Sequence, residues 1–479
     1  MAPKQVKARR KAARKRVVNF MLPPKDDFFQ FSFFVNPHDS RIRSLILELS
    51  GKSLRWLLCL VFIFSALSAS FHASAEEAEE APRDFWHRPT LTGSWGGARQ
   101  SLANHGVNFD FVYTTEVVGN VSGGVEKKVT SLNNFDLVLD VDFERLVHWK
   151  GASLHLYGVG NEGGSASDNA GDTQGLSNIE SPDAWRLYEA WLQQNFYDDR
   201  LSFLAGLHDL NADFDSIETA HLFINSSHGI GPDYSQSGLN GPSIFPNTGL
   251  GFRVAATPLK PLYIQSGIFD GVPGNPNDPE SPVSVSLNGT DGALIVSEIG
   301  FLPGELGENR AYGKFAVGGW YYTASFDDLS DVDANGNPLR RSHNFGVYGF
   351  GESLIFRENK ESDQGLSVFG RVGYANPKIN RFEYYLGSGL SYKGVFPGRD
   401  DDLMGFAVAT ALNGQHYRTA QTIAGTPSEK AEITLEWTYQ MPLTPWLSIQ
   451  PDVQWIVNPD TQAGRENSLN LGSVIQIVL

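Results

Sequence analysis

Two alternations constrain this chain more than anything else in it. Within segments, apolar and polar residues alternate with period two. Between segments, short and long connections alternate. In Glu432-Ile433-Thr434-Leu435-Glu436-Trp437-Thr438-Tyr439-Gln440 every odd position is apolar or aromatic and every even position is polar. Ser448 to Trp455 repeats the pattern with Pro451 as its one break, and the chain closes inside a third such segment, Ser468 to Leu479. Successive side chains of a β-strand point to opposite faces, so each segment divides its residues between two environments.

Sixteen segments read as strands: 107–119, 132–147, 152–160, 185–196, 201–209, 250–256, 262–270, 293–301, 311–323, 343–357, 365–375, 382–393, 402–410, 431–440, 447–458 and 468–479. Their lengths suit tilted membrane strands of roughly 9–11 residues. His148 to Gly151, Tyr197 to Arg200, Thr257 to Pro261 and Met441 to Trp446 are short connections. Asn161 to Ala184, Leu210 to Gly249, Gly271 to Gly292, Ala324 to Ser342 and Ala411 to Lys430 are long ones, and Asn376 to Arg381 is a short exception. Outer-membrane barrels have short periplasmic turns and long outer loops, whereas a soluble sandwich has no reason to alternate this way. An even strand count puts both ends on one side. Trp149, Trp185, Phe196, Tyr197, Trp446 and Trp455 cluster at strand ends, where aromatic girdles sit at membrane interfaces.

The start of the chain reads as export machinery. Trp56 to Ala69 is a short apolar run, preceded by Lys52 and Arg55 and followed by Ala73-Ser74-Ala75. A positive flank, a short apolar core and a small-x-small site make a signal peptide. Residues 1–75 are therefore expected to be a leader, with 1–50 either an unusually long extension of it or the product of a start placed too far upstream, and 76–106 a short periplasmic segment before the barrel at 107–479. The leader holds 13 of the 38 Lys/Arg and 4 of the 54 Asp/Glu. The remainder carries 25 basic and 50 acidic residues, a net of −25, which disfavours nucleic acid as a partner. The only cysteine, Cys59, lies in the leader, so disulfides, thiol chemistry and cysteine metal sites are excluded from the exported chain. No segment after Ala75 approaches the roughly 20 apolar residues of a helical span.

Three segments then carry a resemblance. Leu91-Thr92-Gly93-Ser94-Trp95-Gly96-Gly97-Ala98-Arg99, followed by Leu102 to Gly106, is similar to an opening tryptophan-glycine-glycine motif. Trp191-Leu192-Gln193-Gln194 stands with Leu204-Ala205-Gly206 and Asp209 to Phe214. Gln450-Pro451-Asp452-Val453-Gln454-Trp455-Ile456-Val457-Asn458-Pro459 resembles the most specific strand of the set. Over residues 90–479 the chain resembles the carbohydrate-selective porins of the OprB type. The resemblance implies a sixteen-stranded outer-membrane channel of a Gram-negative bacterium that passes glucose and related sugars by diffusion. Members of that family usually end in an aromatic residue, and this chain ends in Leu479.

The expected fold is thus all-β: a sixteen-stranded antiparallel transmembrane barrel with short periplasmic turns and long outer loops. Its expected partners are monosaccharides or small oligosaccharides and outer-membrane lipid, with monomer and homotrimer both open. A sugar channel needs a narrow waist whose polar groups replace water on hydroxyls, and binding weak enough for release. The period-two rule assigns the wall. Glu189, Trp191 and Gln193 point inward if Tyr188, Ala190 and Leu192 face lipid. Arg253, Arg371, Glu436, Asp452 and Gln454 point inward by the same reasoning, as do Asp136, Asp140, Asp142, Glu144, Glu432 and Gln450. Trp191 lies between two polar residues on one wall, where its ring can stack on a pyranose. The 210–249 connection is expected to fold into the lumen and set its width.

A general or cation-favouring porin is the alternative, suggested by the acidic balance. A cofactor is not expected. Asp331-Val332-Asp333-Ala334-Asn335-Gly336-Asn337 resembles the start of a calcium loop, but Ser342 stands where the bidentate acid belongs, leaving at most weak Ca²⁺ binding. Catalysis is not expected either: Ser227 and His228 lie close in sequence, but no G-x-S-x-G elbow, H-E-x-x-H or P-loop accompanies them.

Overall fold

The computed structural model describes residues 84–479, apart from Ser284, Ser286, Asn288, 307–311 and 360–361. The leader expected over 1–75 lies outside the described residues. Sixteen strands close into one antiparallel barrel. They are β1 (Val107–Ser122), β2 (Val129–Asp142), β3 (Ala152–Gly163), β4 (Ala184–Phe196), β5 (Leu201–His208), β6 (Gly249–Leu259), β7 (Leu262–Asp270), β8 (Ala293–Phe301), β9 (Gly313–Tyr322), β12 (Asn344–Arg357), β13 (Gly365–Ala375), β14 (Phe382–Lys393), β15 (Leu403–Asn413), β16 (Ala431–Thr444), β17 (Leu447–Val457) and β18 (Ser468–Val478). A small hairpin, β10 (Phe326–Val332) and β11 (Pro338–Arg341), stands between β9 and β12. Each barrel strand pairs with its neighbour, and β1 pairs with β18 from Val112↔Val478 onward to shut the ring. Closure leaves no unpaired edge, which hydrocarbon would not tolerate.

The alternation has the expected outer consequence. Phe252, Ile264, Ile299, Val317, Leu386 and Trp437 are exposed on the outside of the barrel. No described helix is long and apolar enough to cross a membrane. Trp149, Trp185, Phe196, Tyr197 and Trp455 are exposed. Trp446 is not: Phe85 and Trp86 cover it at 5.1 and 6.3 Å between ring centroids. The chain before β1 is tied to the last strand. Leu91 N donates to Val478 O at 2.7 Å, and Arg99 Nη1 donates to Leu479 O at 3.1 Å.

The structure corrects the expected wall in two places. β2 stops at Asp142 instead of running to 147, because the Asp142 carboxylate accepts Glu144 N and Arg145 N and caps a short helix, Phe143–Val147. A side-chain acceptor at that position starts a helical turn. Glu144 therefore leaves the lumen wall and is exposed. In β4, Glu189 pairs with Tyr157 and Leu187 with Gly158, so Tyr188 is an extra residue. A bulge of this kind shifts the phase of the strand. Trp185 and Leu187 face outward before it, Leu192 after it. Tyr188, expected in lipid, is buried, with its hydroxyl donating to Asp209 Oδ2 at 2.8 Å.

The inner face is not polar throughout, as the simple alternation implies. Leu294, Val296, Trp320 and Tyr348 point inward and are at most 2% exposed. Leu210, Phe214, Ile217, Phe223 and Tyr234 of the 209–248 connection pack against them. This connection lies inside the barrel, and the apolar core forms between it and the wall. Glycines make room for the rings: a Cβ at Gly318 would stand 2.2 Å from the Tyr348 ring, and one at Gly300 2.1 Å from that of Tyr263.

Candidate functional site

The lumen is shaped by how the wall holds that inner loop. Four wall carboxylates receive backbone amides from it. Glu189 accepts Asp209 N at 3.3 Å. Glu298 accepts Asp215 N at 2.9 Å. Glu352 accepts Glu218 N at 3.1 Å and Thr219 N at 2.7 Å. Glu436 accepts Ile224 N at 2.6 Å and Asn225 N at 3.1 Å. Amides that point away from regular structure need acceptors when buried, and a carboxylate serves two at once. Cationic wall residues hold the loop's acids. Arg371 spans Asp215 at 2.6 Å and Asp233 at 2.8 Å. Arg253 pairs with Asp213 at 3.0 Å, and Lys314 Nζ donates to Ser216 O at 2.6 Å.

The loop acids differ in their electrostatics. Burial pushes Asp215 up to about 6, against the pull of Arg371. Burial also raises Asp233. Asp213 is partly buried, and Arg253 and His208 hold it well below the usual carboxylate range. Two acids therefore share one guanidinium at Arg371, while one acid receives two donors at Asp213.

The eight wall residues singled out by the sequence all lie on the inner face, but in different settings. Glu189 accepts from Trp191 Nε1 at 2.8 Å and faces His208 at 3.0 Å. Gln193 accepts from Arg253 at 3.0 Å. Gln454 donates to Leu176 O at 2.8 Å and to Asp452 at 3.0 Å, and accepts from Asn225 at 3.1 Å. Arg253, Arg371 and Glu436 are occupied by the inner loop. These seven residues are at most 7% exposed. Trp191 alone is only half-buried.

Trp191 belongs to a second group on the wall of β2, β3 and β4. His155 stacks on it at 4.8 Å and 16°. The His155 ring meets Asp140 Oδ1 at 2.9 Å. Tyr157 donates its hydroxyl to Asp136 at 2.7 Å. Gly206 on β5 lets that strand run close against the β4 backbone at Trp191: its φ is +144°, and a Cβ there would lie 2.6 Å from Trp191 Cα. The sequence signal for His155 and Tyr157 is the alternation Leu154-His155-Leu156-Tyr157, which turns both rings to the same face as Asp136 and Asp140.

Other groups named by the sequence are engaged otherwise. The Ser227 hydroxyl donates to Gln174 O at 3.1 Å. Neither nitrogen of His228 has a hydrogen-bond partner among the described residues. Its Nε2 lies 3.7 Å from Glu436, and burial pushes the imidazole down to about 3. Ser227 and His228 thus form no nucleophile–base pair. In the calcium-like segment, Asp333 Oδ1 accepts Asn335 N at 2.8 Å and Asn337 N at 2.9 Å, closing the hairpin turn. Asp331 pairs with Arg341 at 2.8 Å.

A closed sixteen-stranded barrel with an oily exterior and a loop pinned across its interior is an outer-membrane porin. Comparison with known proteins makes this specific. The model of the carbohydrate-selective porin, OprB family, matches residues 126–479, and the chain belongs to that family. It is 27% identical over 447 residues to Porin B of Pseudomonas aeruginosa, covering 86% of this chain and 96% of the relative. It is 24% identical over 409 residues to a putative porin, QuiX, of Acinetobacter baylyi, covering 78% of this chain and 90% of the relative. Its fold matches the high-pH structure of Pseudomonas putida OprB with a TM-score of 0.74 at 24% identity, over 85% of this chain and 100% of that one. The protein is a carbohydrate channel of the Gram-negative outer membrane, and its relatives are channels rather than enzymes.

Proposed function

We propose that glucose-like sugars diffuse passively along the β2–β4 wall and bind weakly at Trp191. In this reading the opposite wall and the inner loop set the width of the passage. One observation carries it: of the eight inward residues, Trp191 is the one left half-buried, while the others are at most 7% exposed. The indole offers an apolar ring to a pyranose face, and Asp136, Asp140 and Tyr157 stand beside it to exchange hydrogen bonds with hydroxyls. Arg253, Arg371, Glu436 and Gln454 act through the loop rather than on the solute. Asp452 and Glu189 support their neighbours.

No catalysis is ascribed to the lumen, a reading supported by the separate engagements of Ser227 and His228. The test is ion conductance of the refolded protein in a planar bilayer, titrated with glucose and with a zwitterion of similar size. Saturable block by glucose alone is expected, and Trp191→Ala should weaken that block several-fold while open conductance stays nearly constant. Equal block of the Trp191→Ala channel would remove Trp191 from the site. Absence of block by either solute would leave a general porin.

A further inference from the structure

The outer mouth holds a buried cation with no anion against it. Arg186 sits on β4 before the bulge and is 6% exposed. Its Nη1 donates to Ser181 Oγ at 3.1 Å and Asn161 Oδ1 at 3.4 Å. Its Nη2 donates to Pro279 O at 2.7 Å and Pro182 O at 3.1 Å. All four acceptors are neutral. The Nε–H is buried and has no partner among the described residues. Every other buried arginine of the lumen differs: Arg253 and Arg371 each meet a carboxylate within 3.0 Å. A guanidinium taken from water without a counter-charge is costly, and an unused buried donor adds to that cost.

Arg186 also lines a cleft. The cleft lies between β4, the end of the inner loop and the 271–292 connection, and its polar lining includes Asn247, Thr248, Asn275 and Ser281. Asp278 is the one acid on its rim, and Glu280 lies near enough to act on Arg186 through space. Neither forms an ion pair with it among the described residues.

We infer that this cleft is a small-oxyanion site, in which Arg186 receives the carboxylate of a sugar acid or a phosphate group. The guanidinium edge formed by Nε and Nη2 matches two oxygens of such a group. A carboxylate seated there takes the free Nε–H directly and competes with the Pro279 carbonyl for Nη2. The position gives the site a use. Beyond residue 75 the chain carries a net charge of −25, a field that repels anionic solutes. Arg186, which forms no ion pair among the described residues, offsets that field locally for a sugar bearing one negative charge. The site shares β4 with Trp191 but uses none of the residues proposed to bind sugar, and it stands or falls without them.

The test is equilibrium dialysis of the folded full-length channel against labelled gluconate and, separately, labelled inorganic phosphate at low ionic strength. Saturable binding at one site per chain is expected. Arg186→Gln should weaken it about tenfold or more, the loss of one charge-assisted pair. Asn275→Leu leaves the bonds of Arg186 in place and narrows the cleft, so it should weaken binding even if Arg186→Gln fails to fold. Gluconate binding without phosphate binding would assign the site to sugar acids. Binding of both would assign it to oxyanions generally, with lipid phosphate competing in mixed micelles. No saturable binding of either, or binding untouched by both variants, would overturn the inference.

Discussion

The wall from β5 to β17 and the wall of β2 to β4 are built by the same period-two rule and do different things. On the first, inward residues are buried under the 209–248 loop and, at β16 and β17, also under the 161–184 connection. Charged groups there meet loop amides and loop acids, and apolar groups such as Leu294 and Val296 meet loop side chains. On the second, Asp136, Asp140, His155, Tyr157 and Trp191 bond mainly to one another and keep part of their surface open. Alternation tells which residues point inward. It does not tell whether water or protein meets them there.

The largest expected effect falls on the covered wall. Arg371→Met leaves Asp215 and Asp233 buried without their shared cation. Removing one partner from a buried ion pair costs about 3–5 kcal/mol. The inner loop should detach, single-channel conductance should rise, and the barrel should melt at a lower temperature in heat-shift electrophoresis. Unchanged conductance would show that Arg371 does not hold the loop.

Glu436→Gln is milder. It keeps one acceptor and loses the charge that faces Ile224 N and Asn225 N, a change of about 1–3 kcal/mol. A modest rise in conductance is expected, with greater current noise from loop opening. A silent recording would place the anchoring elsewhere.

The same loop carries an acid-sensitive group. His228 is held at about 3 when folded, against 6.5 for an ordinary imidazole. The unfolded chain therefore binds a proton through the window from 6.5 down to 3, and the folded one does not. Its contribution is fully present above that window and is lost as pH falls through it. His228→Phe should flatten the acid side of a stability–pH curve measured by intrinsic fluorescence. An equally steep curve in the variant would assign acid sensitivity to other groups.

The smallest effect belongs to the open wall. Asp140→Asn removes a part-exposed charge beside His155. It should lower cation preference slightly in reversal-potential measurements and leave thermal stability within about 0.5 kcal/mol. A large stability loss would mean that the open wall is structural after all.

Most of the barrel was legible from the residues because a tilted membrane strand must repeat its pattern for its full length. β7, β8, β13 and β14 begin and end where the alternation does. The misses have local causes. Asp142 caps a helical turn where the apolar pattern ran on, and one extra residue at Tyr188 reverses the phase of half a strand. The roles within the candidate site were less legible. Gln193, Arg253 and Arg371 were correctly aimed inward, yet what they meet lies 40 to more than 150 residues away in the chain. No local pattern encodes such a meeting. The hairpin of β10 and β11 was not legible because its strands are short, seven and four residues, and carry no sustained alternation.

The division between the two walls is tested most directly by recording glucose block and open conductance together for Trp191→Ala and Arg371→Met. The account predicts a double dissociation. Trp191→Ala loses block and keeps conductance, while Arg371→Met gains conductance. Loss of block in Arg371→Met at unchanged conductance, with normal block in Trp191→Ala, would put the sugar on the covered wall and contradict the account.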